Sequence, residues 1–479
     1  MLCVVAPRLA AAQTTPLAQR PTRADSPNTQ IVETGPEPTA AAPSDPDPGT
    51  GDVLTVFPHP ETSRYWISGQ ANVVFQWHPT FPALYSGHNS LTPSAQSATT
   101  HVLTLYTGYE LRPGTEVFAD AEWATGGGIG SAFGLAGYTN LDSVRTVEGI
   151  PLAKTPYLAR LLLRQIIPLS HERIKGDRDE FHLEQSLPAR RIEFWFGKFD
   201  LVDFFDVNTW GSDSHLQFLN WTIVNNGAYD YAANTRGYTD GGLLEYDDHW
   251  FSARFAAVLM PKIANGINLD ADVARARSED LELAAQGSLI AHRRGAVRLL
   301  SYLNQANMGN YRQAIAEYLD GQTPTPDIIA TRREGRHRYG FGLNFEQEIT
   351  SRVGVFGRLG WSDGRNESYA YTEDDRTLEL GGFATGGSWH RRNDRAGAAF
   401  VTNAIVAAHQ QYLALGGLGF LLGDGGLTYG REEIFEGFYT AHLWRGFFAS
   451  YGLQHINNPG YNQVRGPVTV STLRFHADF

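Results

Sequence analysis

The feature that most constrains this chain is a two-residue alternation of apolar and polar side chains, repeated in segments of about ten residues. From Arg338 to Phe345, aromatic and leucine side chains occupy every second position and oppose the face that carries Arg338 and Asn344. Successive side chains of a β-strand point to opposite faces, so the pattern predicts strands. From residue 62 to the C-terminus we count roughly sixteen such segments. Further examples are Val117–Trp123, Tyr157–Ile167, Arg190–Phe199, Phe251–Leu259 and Val353–Trp361.

Two details of these segments favour a transmembrane barrel over a soluble sandwich, whose strands would also alternate. Their polar faces carry repeated Arg and Glu interspersed with Gly, as the wall of a wet lumen would. Aromatic side chains such as Trp77, Trp444 and Phe447 gather at segment ends, where the interfacial girdles of a barrel belong. The mean hydropathy of −0.29 fits a barrel, because lipid-facing and lumen-facing residues average out. The sequence therefore predicts an all-β fold, an antiparallel transmembrane β-barrel of about 16 strands in a bacterial outer membrane.

The C-terminal strand carries the most specific local signal. Residues 471–479 alternate strictly and end on an aromatic residue, Phe479, with Phe475 on one face and Arg474 on the other. Such an ending resembles the assembly signal of bacterial outer-membrane barrels. We therefore expect this strand to engage the barrel assembly machinery, and the outer face to contact outer-membrane lipid and lipopolysaccharide.

The N-terminal part of the chain differs in composition. Residues 1–13 end in a short run of alanines before Gln13, as a cleavage site requires, and are predicted to be the remnant of a secretory signal peptide. Residues 14–61 are rich in Pro, Ala, Thr, Ser and Asp and are predicted to be a disordered linker. The barrel domain is predicted to occupy residues 62–479.

One segment inside the predicted barrel breaks the strand pattern. Asn310–Leu319 spaces its apolar side chains at helical intervals and is followed by Asp320-Gly321. We expect a short helix in a loop, either outside the barrel or folded into the pore.

Several classes of function are disfavoured by what the sequence lacks. Its only cysteine is Cys3, which excludes disulfide scaffolds, cysteine-ligated zinc and a thiol nucleophile from the body of the chain. The net charge of −12 argues against non-specific nucleic-acid binding. No hydrolase, zinc-protease or P-loop motif is present, so neither an enzyme nor a cofactor is predicted.

An acidic series places oxygen atoms at intervals of two and three residues, which is compatible with calcium. It consists of Asp200, Asp203, Asp206 and Asn208. The series lacks the glycine turn and the distal glutamate of a calcium-binding loop. We therefore favour acidic residues of a solvated loop or rim and predict no metal.

Ten residues are candidates for the lining of a pore. Arginine and glutamate side chains that face each other across a narrow lumen would supply donors and acceptors in place of the water bound to a solute. Such residues can also pair with one another inside the barrel wall. A tryptophan beside the acidic series can stack on the apolar face of a pyranose or simply fill a core. A histidine and an asparagine near residue 456 either face the pore or belong to a turn. The candidates are Arg160, Arg164, Arg191, Glu193, Trp210, Arg254, Arg352, Arg358, His455 and Asn457.

The stretch Phe194–Trp221 resembles the carbohydrate-selective porins of the OprB-like family. It contains a Gly-Lys-Phe-Asp turn at Gly197–Asp200, the acidic series, and a Phe-Leu-Asn motif at Phe218–Asn220. His455–Asn462 is similar to the family's penultimate-strand motif. The resemblance implies a sixteen-stranded, water-filled barrel with a constriction of charged and aromatic residues, through which small sugars pass down their gradient. It also implies a homotrimer.

The residues themselves leave the solute open. Passive diffusion of small carbohydrates is the predicted function. A channel for acidic solutes is the main alternative, because an arginine-rich lining would suit anions, and export of a polysaccharide is another. A different class is a secreted, soluble β protein that binds glycans.

Overall fold

The computed structural model describes residues 54–60, 62–143, 152–290 and 292–479. Sixteen antiparallel strands form one closed barrel, as the alternation predicts. A small separate sheet consists of β5 (Arg173–Lys175) and β6 (Ser186–Pro188). The barrel strands are β1 (Tyr65–His78), β2 (Gln96–Arg112), β3 (Thr115–Gly126), β4 (Tyr157–Pro168), β7 (Arg191–Phe199), β8 (Thr239–Asp247), β9 (Phe251–Leu259), β10 (Arg277–Ile290), β11 (Arg293–Met308), β12 (Arg333–Thr350), β13 (Val353–Ser362), β14 (Arg376–Thr385), β15 (Arg395–Ala404), β16 (Glu432–Trp444), β17 (Phe447–Asn457) and β18 (Val468–Asp478).

The first and last strands close the barrel. β1 pairs with β18 from Gln70 opposite Asp478 to Trp77 opposite Ser471. Beyond the last strand residue, the Phe479 N–H donates to the Gly69 carbonyl at 2.8 Å. The C-terminal strand predicted from its alternation therefore completes the wall, and no barrel strand is left with an unpaired edge.

The alternation places apolar side chains outside and charged ones inside. Phe341 and Phe475 expose 57% and 56% of their surface on the outer face. Arg338, Arg358 and Arg474, which occupy the opposite face of the same strands or their neighbours, are fully buried. A soluble sandwich would bury its apolar face instead, so this arrangement is that of a membrane barrel.

The two ends of the barrel differ in the length of their connections. Turns such as 113–114 and 445–446 are very short, whereas eight connections at the other end are longer, among them 127–156, 309–332 and 405–431. Short turns face the periplasm and long loops face the exterior in outer-membrane barrels. The start of β1 and the end of β18 lie at the periplasmic end.

Three helices lie in the extracellular connections of the described chain: α1 (Trp221–Val224), α2 (Tyr311–Leu319) and α3 (Ala407–Ala414). α2 is the short helix predicted from its spacing, and the Asn310 side chain caps it by accepting from Gln313 N at 3.0 Å. It packs against α3. No helix in the described part of the chain is long and apolar enough to cross a membrane.

The signal-peptide remnant at 1–13 and the linker up to residue 53 lie outside the described residues. Residues 54–60 contact the barrel: Val56 N donates to the Asp478 carbonyl at 2.8 Å, and Leu54 packs with Leu216 and Phe448. Contacts with the barrel thus begin upstream of the boundary at residue 62.

Candidate functional site

Much of the barrel interior is filled by residues 200–238, which follow β7 and fold into the lumen. We call them the inserted segment. Phe205 and Phe218 in this segment are fully buried. At its deepest point, the Leu216 carbonyl accepts from Thr440 Oγ1 of β16 at 2.9 Å. The ring of the preceding histidine stacks on that of His476, close to the periplasmic end, with 5.3 Å between the centroids.

The glycine of the Gly-Lys-Phe-Asp motif lies near the end of β7 and not in a turn, and its surroundings explain why a glycine is needed. Gly197 has φ +136°, and a Cβ there would lie 2.0 Å from the Leu161 carbonyl oxygen of β4. Glycine is the residue that tolerates both this backbone conformation and this close approach. Asp200 then accepts from Val202 N at 3.2 Å and begins a short helical turn.

Two lumen arginines hold the inserted segment on the wall. Arg160 of β4 donates two hydrogen bonds to the two carboxylate oxygens of Asp203, each 2.8 Å long. Arg358 of β13 lies 2.8 Å from Asp206 and donates to the Ile223 carbonyl at 2.8 Å. Because both guanidiniums are buried, salt screens these contacts little.

The acidic series is therefore neither a calcium loop nor a solvated rim. Asp203 and Asp206 neutralise arginines, and Asn208 donates to Asn344 Oδ1 at 2.9 Å. All of these side chains are buried, so the prediction of a solvated loop is wrong. Across the described ranges, no group of three His, Cys, Asp or Glu residues could hold a metal ion.

Carboxylates of the wall hold the connections in a second way, by accepting from backbone N–H groups. Glu432 of β16 accepts from Gly137 and Gly460, each at 2.7 Å. Glu436, four residues further along the same face, accepts from Leu219 at 2.8 Å. Two carboxylates on one strand thus anchor three different connections, through hydrogen bonds that the carboxylate charge strengthens.

The connection 169–190, which contains β5 and β6, enters the lumen from the periplasmic end. Glu116 of β3 accepts from Leu183 N at 3.1 Å. The ring of Phe181 lies beneath the guanidinium of Arg160, 5.0 Å from ring centroid to Cζ, and contacts an aromatic ring of the inserted segment. Connections from the two ends of the barrel therefore meet inside it.

These packed connections leave an open pocket near β1 to β4, which we call the passage. It extends from Arg236 and Asn265 on the extracellular side to Gln70 and His215 near the periplasmic end, with about 1070 Å³ of free space when the part open to solvent is included. Its aromatic lining consists of Tyr106, Phe181, Trp221, Tyr231, Tyr238 and Tyr371, and its charged lining of Glu122, Asp142, Arg160, Glu180, Asp200 and Arg236.

Several rings of the passage are fixed by contacts with one another. Trp221 and Tyr371 stack with an interplanar angle of 8° and 5.4 Å between centroids, and Tyr231 lies 4.7 Å from Tyr371. The Trp221 indole N–H donates to the Asn140 carbonyl at 2.9 Å. Rings held in this way can offer an apolar face to a sugar, while neighbouring carboxylates accept from its hydroxyl groups.

Of the ten predicted pore-lining residues, Arg160 lines the passage. Five others face the interior as predicted, but they are buried in ion pairs. For these five, the structure agrees with the alternative that such residues pair with one another. They are Arg164, Arg191, Glu193, Arg254 and Arg358.

The remaining four predicted residues do not line the passage. Arg352 is exposed in the turn that follows β12. His455 lies on the outer face of β17, with its Nδ1 2.9 Å from Thr469 Oγ1, and Asn457 ends the same face. Trp210 lies inside the barrel but covers Gly354, where a Cβ would be 2.3 Å from the indole. Trp210 is thus a packing residue.

Sequence reasoning did not select the carboxylates and tyrosines of the passage. Glu122 lies on the lumen face of β3, as the alternation predicts, and accepts from Tyr238 Oη at 3.1 Å. Tyr238, Tyr231 and Tyr371 stand in or beside the connections, where no periodic pattern reports which way a side chain points. The available signal was the aromatic content of the inserted segment, which is too high for a loop in water.

Comparison with protein families agrees with the motifs. The family described as carbohydrate-selective porin, OprB family, matches residues 88–479. The resemblance inferred from the motif at Gly197–Asp200 and from the Phe-Leu-Asn motif is confirmed. No curated protein matches the sequence.

Two solved structures match most of the chain. The high-pH structure of Pseudomonas putida OprB is 13% identical, with 87% of this chain and 94% of that chain covered and a TM-score of 0.62. The outer membrane channel DcaP of Acinetobacter baumannii is 9% identical, with 87% and 97% covered and a TM-score of 0.46. At such identities, the first of these likenesses supports the fold alone.

Proposed function

Because the chain belongs to the OprB family of carbohydrate-selective porins and is an outer-membrane β-barrel, we propose that small sugars diffuse through it along the passage beside β1 to β4. The observation that carries the proposal is the make-up of that passage. Fixed aromatic rings and carboxylates line it together from one end of the barrel towards the other.

The geometry supports weak, reversible binding during passage. The stacked Trp221 and Tyr371 offer an apolar surface, and Glu122 is held in place by the hydroxyl groups of Tyr157 and Tyr238. A sugar that exchanges its water for these groups loses little hydrogen bonding, and its ring gains an apolar contact. Conduction requires binding that is weak enough for the solute to leave, which such contacts provide.

Planar-bilayer conductance with neutral hexoses tests the route. We expect stepwise channel openings that a hexose blocks saturably. Replacing Trp221 with alanine should weaken the block by about twofold to tenfold, the value of one aromatic contact. Trp444→Ala, which removes an exposed tryptophan of the outer girdle, is the matched control and should leave the block unchanged.

Two outcomes would contradict the proposal. Folded protein without channel activity would remove the passage as a route. An equal block in the wild type and in a correctly folded Trp221→Ala variant would show that sugars pass elsewhere.

The acidic-solute alternative depended on an arginine-rich lining. The structure instead buries most of the predicted arginines in ion pairs away from the passage, so no observation favours that alternative. None favours export of a polysaccharide either.

We further propose three contacts for this porin. The barrel assembly machinery would engage β18, whose terminal residue Phe479 bonds to β1. Lipopolysaccharide phosphates would meet arginines such as Arg277 and Arg333 at the extracellular end of the outer face. A homotrimer is the family expectation, and cross-linking of the protein in its membrane tests it.

A further inference from the structure

The interior of this barrel is strongly acidic. Among the described residues, the buried side chains include 26 aspartates and glutamates but nine arginines and no lysine. Many of these carboxylates are compensated by guanidiniums or by backbone N–H groups. The electrostatic character of the channel therefore depends on the charges that face the passage.

Two arginines line the passage, and they differ in their partners. Arg160 is paired with Asp203 and lies 3.6 Å from Asp120. Arg236 stacks on Tyr157, with its Cζ 3.6 Å from the ring centroid, and donates to a backbone carbonyl. The charge of Arg160 is therefore compensated by carboxylates, whereas Arg236 is held by an aromatic ring and a neutral acceptor.

The negative charges are more numerous. Glu122, Asp142 and Asp200 line the passage, and their partners include neutral donors: tyrosine hydroxyls for Glu122 and the Asn72 amide for Asp142, at 2.5 Å. Glu180 also lines the passage, but burial, followed by the neighbouring Asp179, raises its pKa and favours its neutral form. Three carboxylates then face Arg236 and the compensated Arg160.

We propose that the passage is cation-selective and that it favours sugars carrying a protonated amine over neutral sugars, and neutral sugars over uronates. This inference rests on the proposed sugar route. A narrow lumen with low-dielectric walls focuses the field of its charges, so three carboxylates raise the local concentration of cations and exclude anions. An ammonium group on a sugar would donate to the carboxylates while the ring meets the aromatic faces.

The reversal potential of the reconstituted protein across a KCl gradient tests the ionic part. We expect the potential to have the sign of a cation-selective channel. The Glu122→Gln and Asp142→Asn variants should each lower the cation-to-anion permeability ratio by about twofold to fivefold, the effect of one unit charge about 4 Å from an ion in water. Glu279→Gln, which neutralises a carboxylate on the outer face of β10, is the matched control and should change nothing.

An anion-selective wild type would overturn the inference, and so would passage variants whose permeability ratio equals that of the control. A heat-modifiable band on gels verifies that each variant is folded. If one variant fails to fold, the other variant and the sign of the wild-type potential still decide.

Uptake into proteoliposomes at neutral pH tests the sugar part with glucosamine, glucose and glucuronate. We expect the rates to fall in that order. Entry of glucose as fast as glucosamine would overturn the preference and leave the sugar route intact. Entry of none of the three would instead overturn the proposed function.

Discussion

Replacing Arg358 with methionine should loosen the inserted segment without unfolding the barrel. The Arg358 guanidinium is fully buried and contacts the segment at several points, including Asp206, the Ile223 carbonyl and Ser212 Oγ at 2.8 Å each. It also lies 3.0 Å from Glu379 on the wall. Methionine preserves much of the side-chain length but leaves Asp206 and Glu379 without their common partner.

The magnitude follows from that loss. Removing one member of a buried ion pair costs about 3–5 kcal/mol, mostly because the remaining charge is left unpaired. This cost shifts the equilibrium between docked and detached segment by roughly 100-fold to 4000-fold. The contacts of Arg160 with Asp203 and of Glu436 with Leu219 stay in place, so we expect transient partial openings.

Single-channel recording is the assay, because a detached segment widens the lumen. Arg358→Met should show larger and noisier conductance steps than the wild type. The control is Arg254→Met, which removes a buried arginine that donates to Glu245 and Glu282 of the wall. It should lower thermal stability with little change in conductance. Unchanged conductance of folded Arg358→Met, or equal changes in both variants, would refute this account of the anchor.

Two further predictions concern the periplasmic end. Deleting Phe479 should reduce the amount of folded protein in the outer membrane. Gly69→Val should do the same, because the terminal ring lies 2.6 Å from the Cβ position of Gly69 and needs that space. Heat-modifiable bands in membrane fractions measure both effects, and wild-type levels would contradict the role of the terminus. Burial, followed by the charge of Asp179, raises the pKa of Glu180, so docking of the connection 169–190 is most stable at acid pH and weakens as pH rises above the usual range of a glutamate. Conductance should therefore increase with pH in the wild type and respond less in Glu180→Gln; identical pH profiles would argue against that docking.

The sequence predicted the wall of the barrel better than its contents. Alternation correctly placed Arg358 inside and Phe475 outside, because a strand has a fixed period of two. The same rule, applied to β17, would have put His455 outside, since it shares a face with Tyr451 and Leu453.

The lining of the passage was not accessible to the same reasoning. A lumen-facing residue lines a pore when nothing covers it, and here the covering residues come from connections without periodic structure. Arg164 and Arg254 follow the two-residue period of lumen-facing positions, yet they are buried in ion pairs with glutamates of neighbouring wall strands. Tyr231 and Tyr371 line the passage from the connections, where their direction depends on tertiary contacts. Strand period therefore identifies candidates, and the packing of the connections selects among them.

This division of roles also bears on how far the barrel can diverge in sequence. The wall needs apolar side chains outside and polar ones inside, a requirement that many sequences meet. This agrees with a TM-score of 0.62 to another barrel of this architecture at 13% sequence identity. The interior is more demanding, because Asp203 needs Arg160 and the carboxylate of Glu436 needs the N–H groups of the inserted segment. Exchanging one partner of such a contact leaves a buried charge, so these positions must change together. On the proposed route, solute preference would depend on the few side chains that face the passage, such as Glu122 and Asp142.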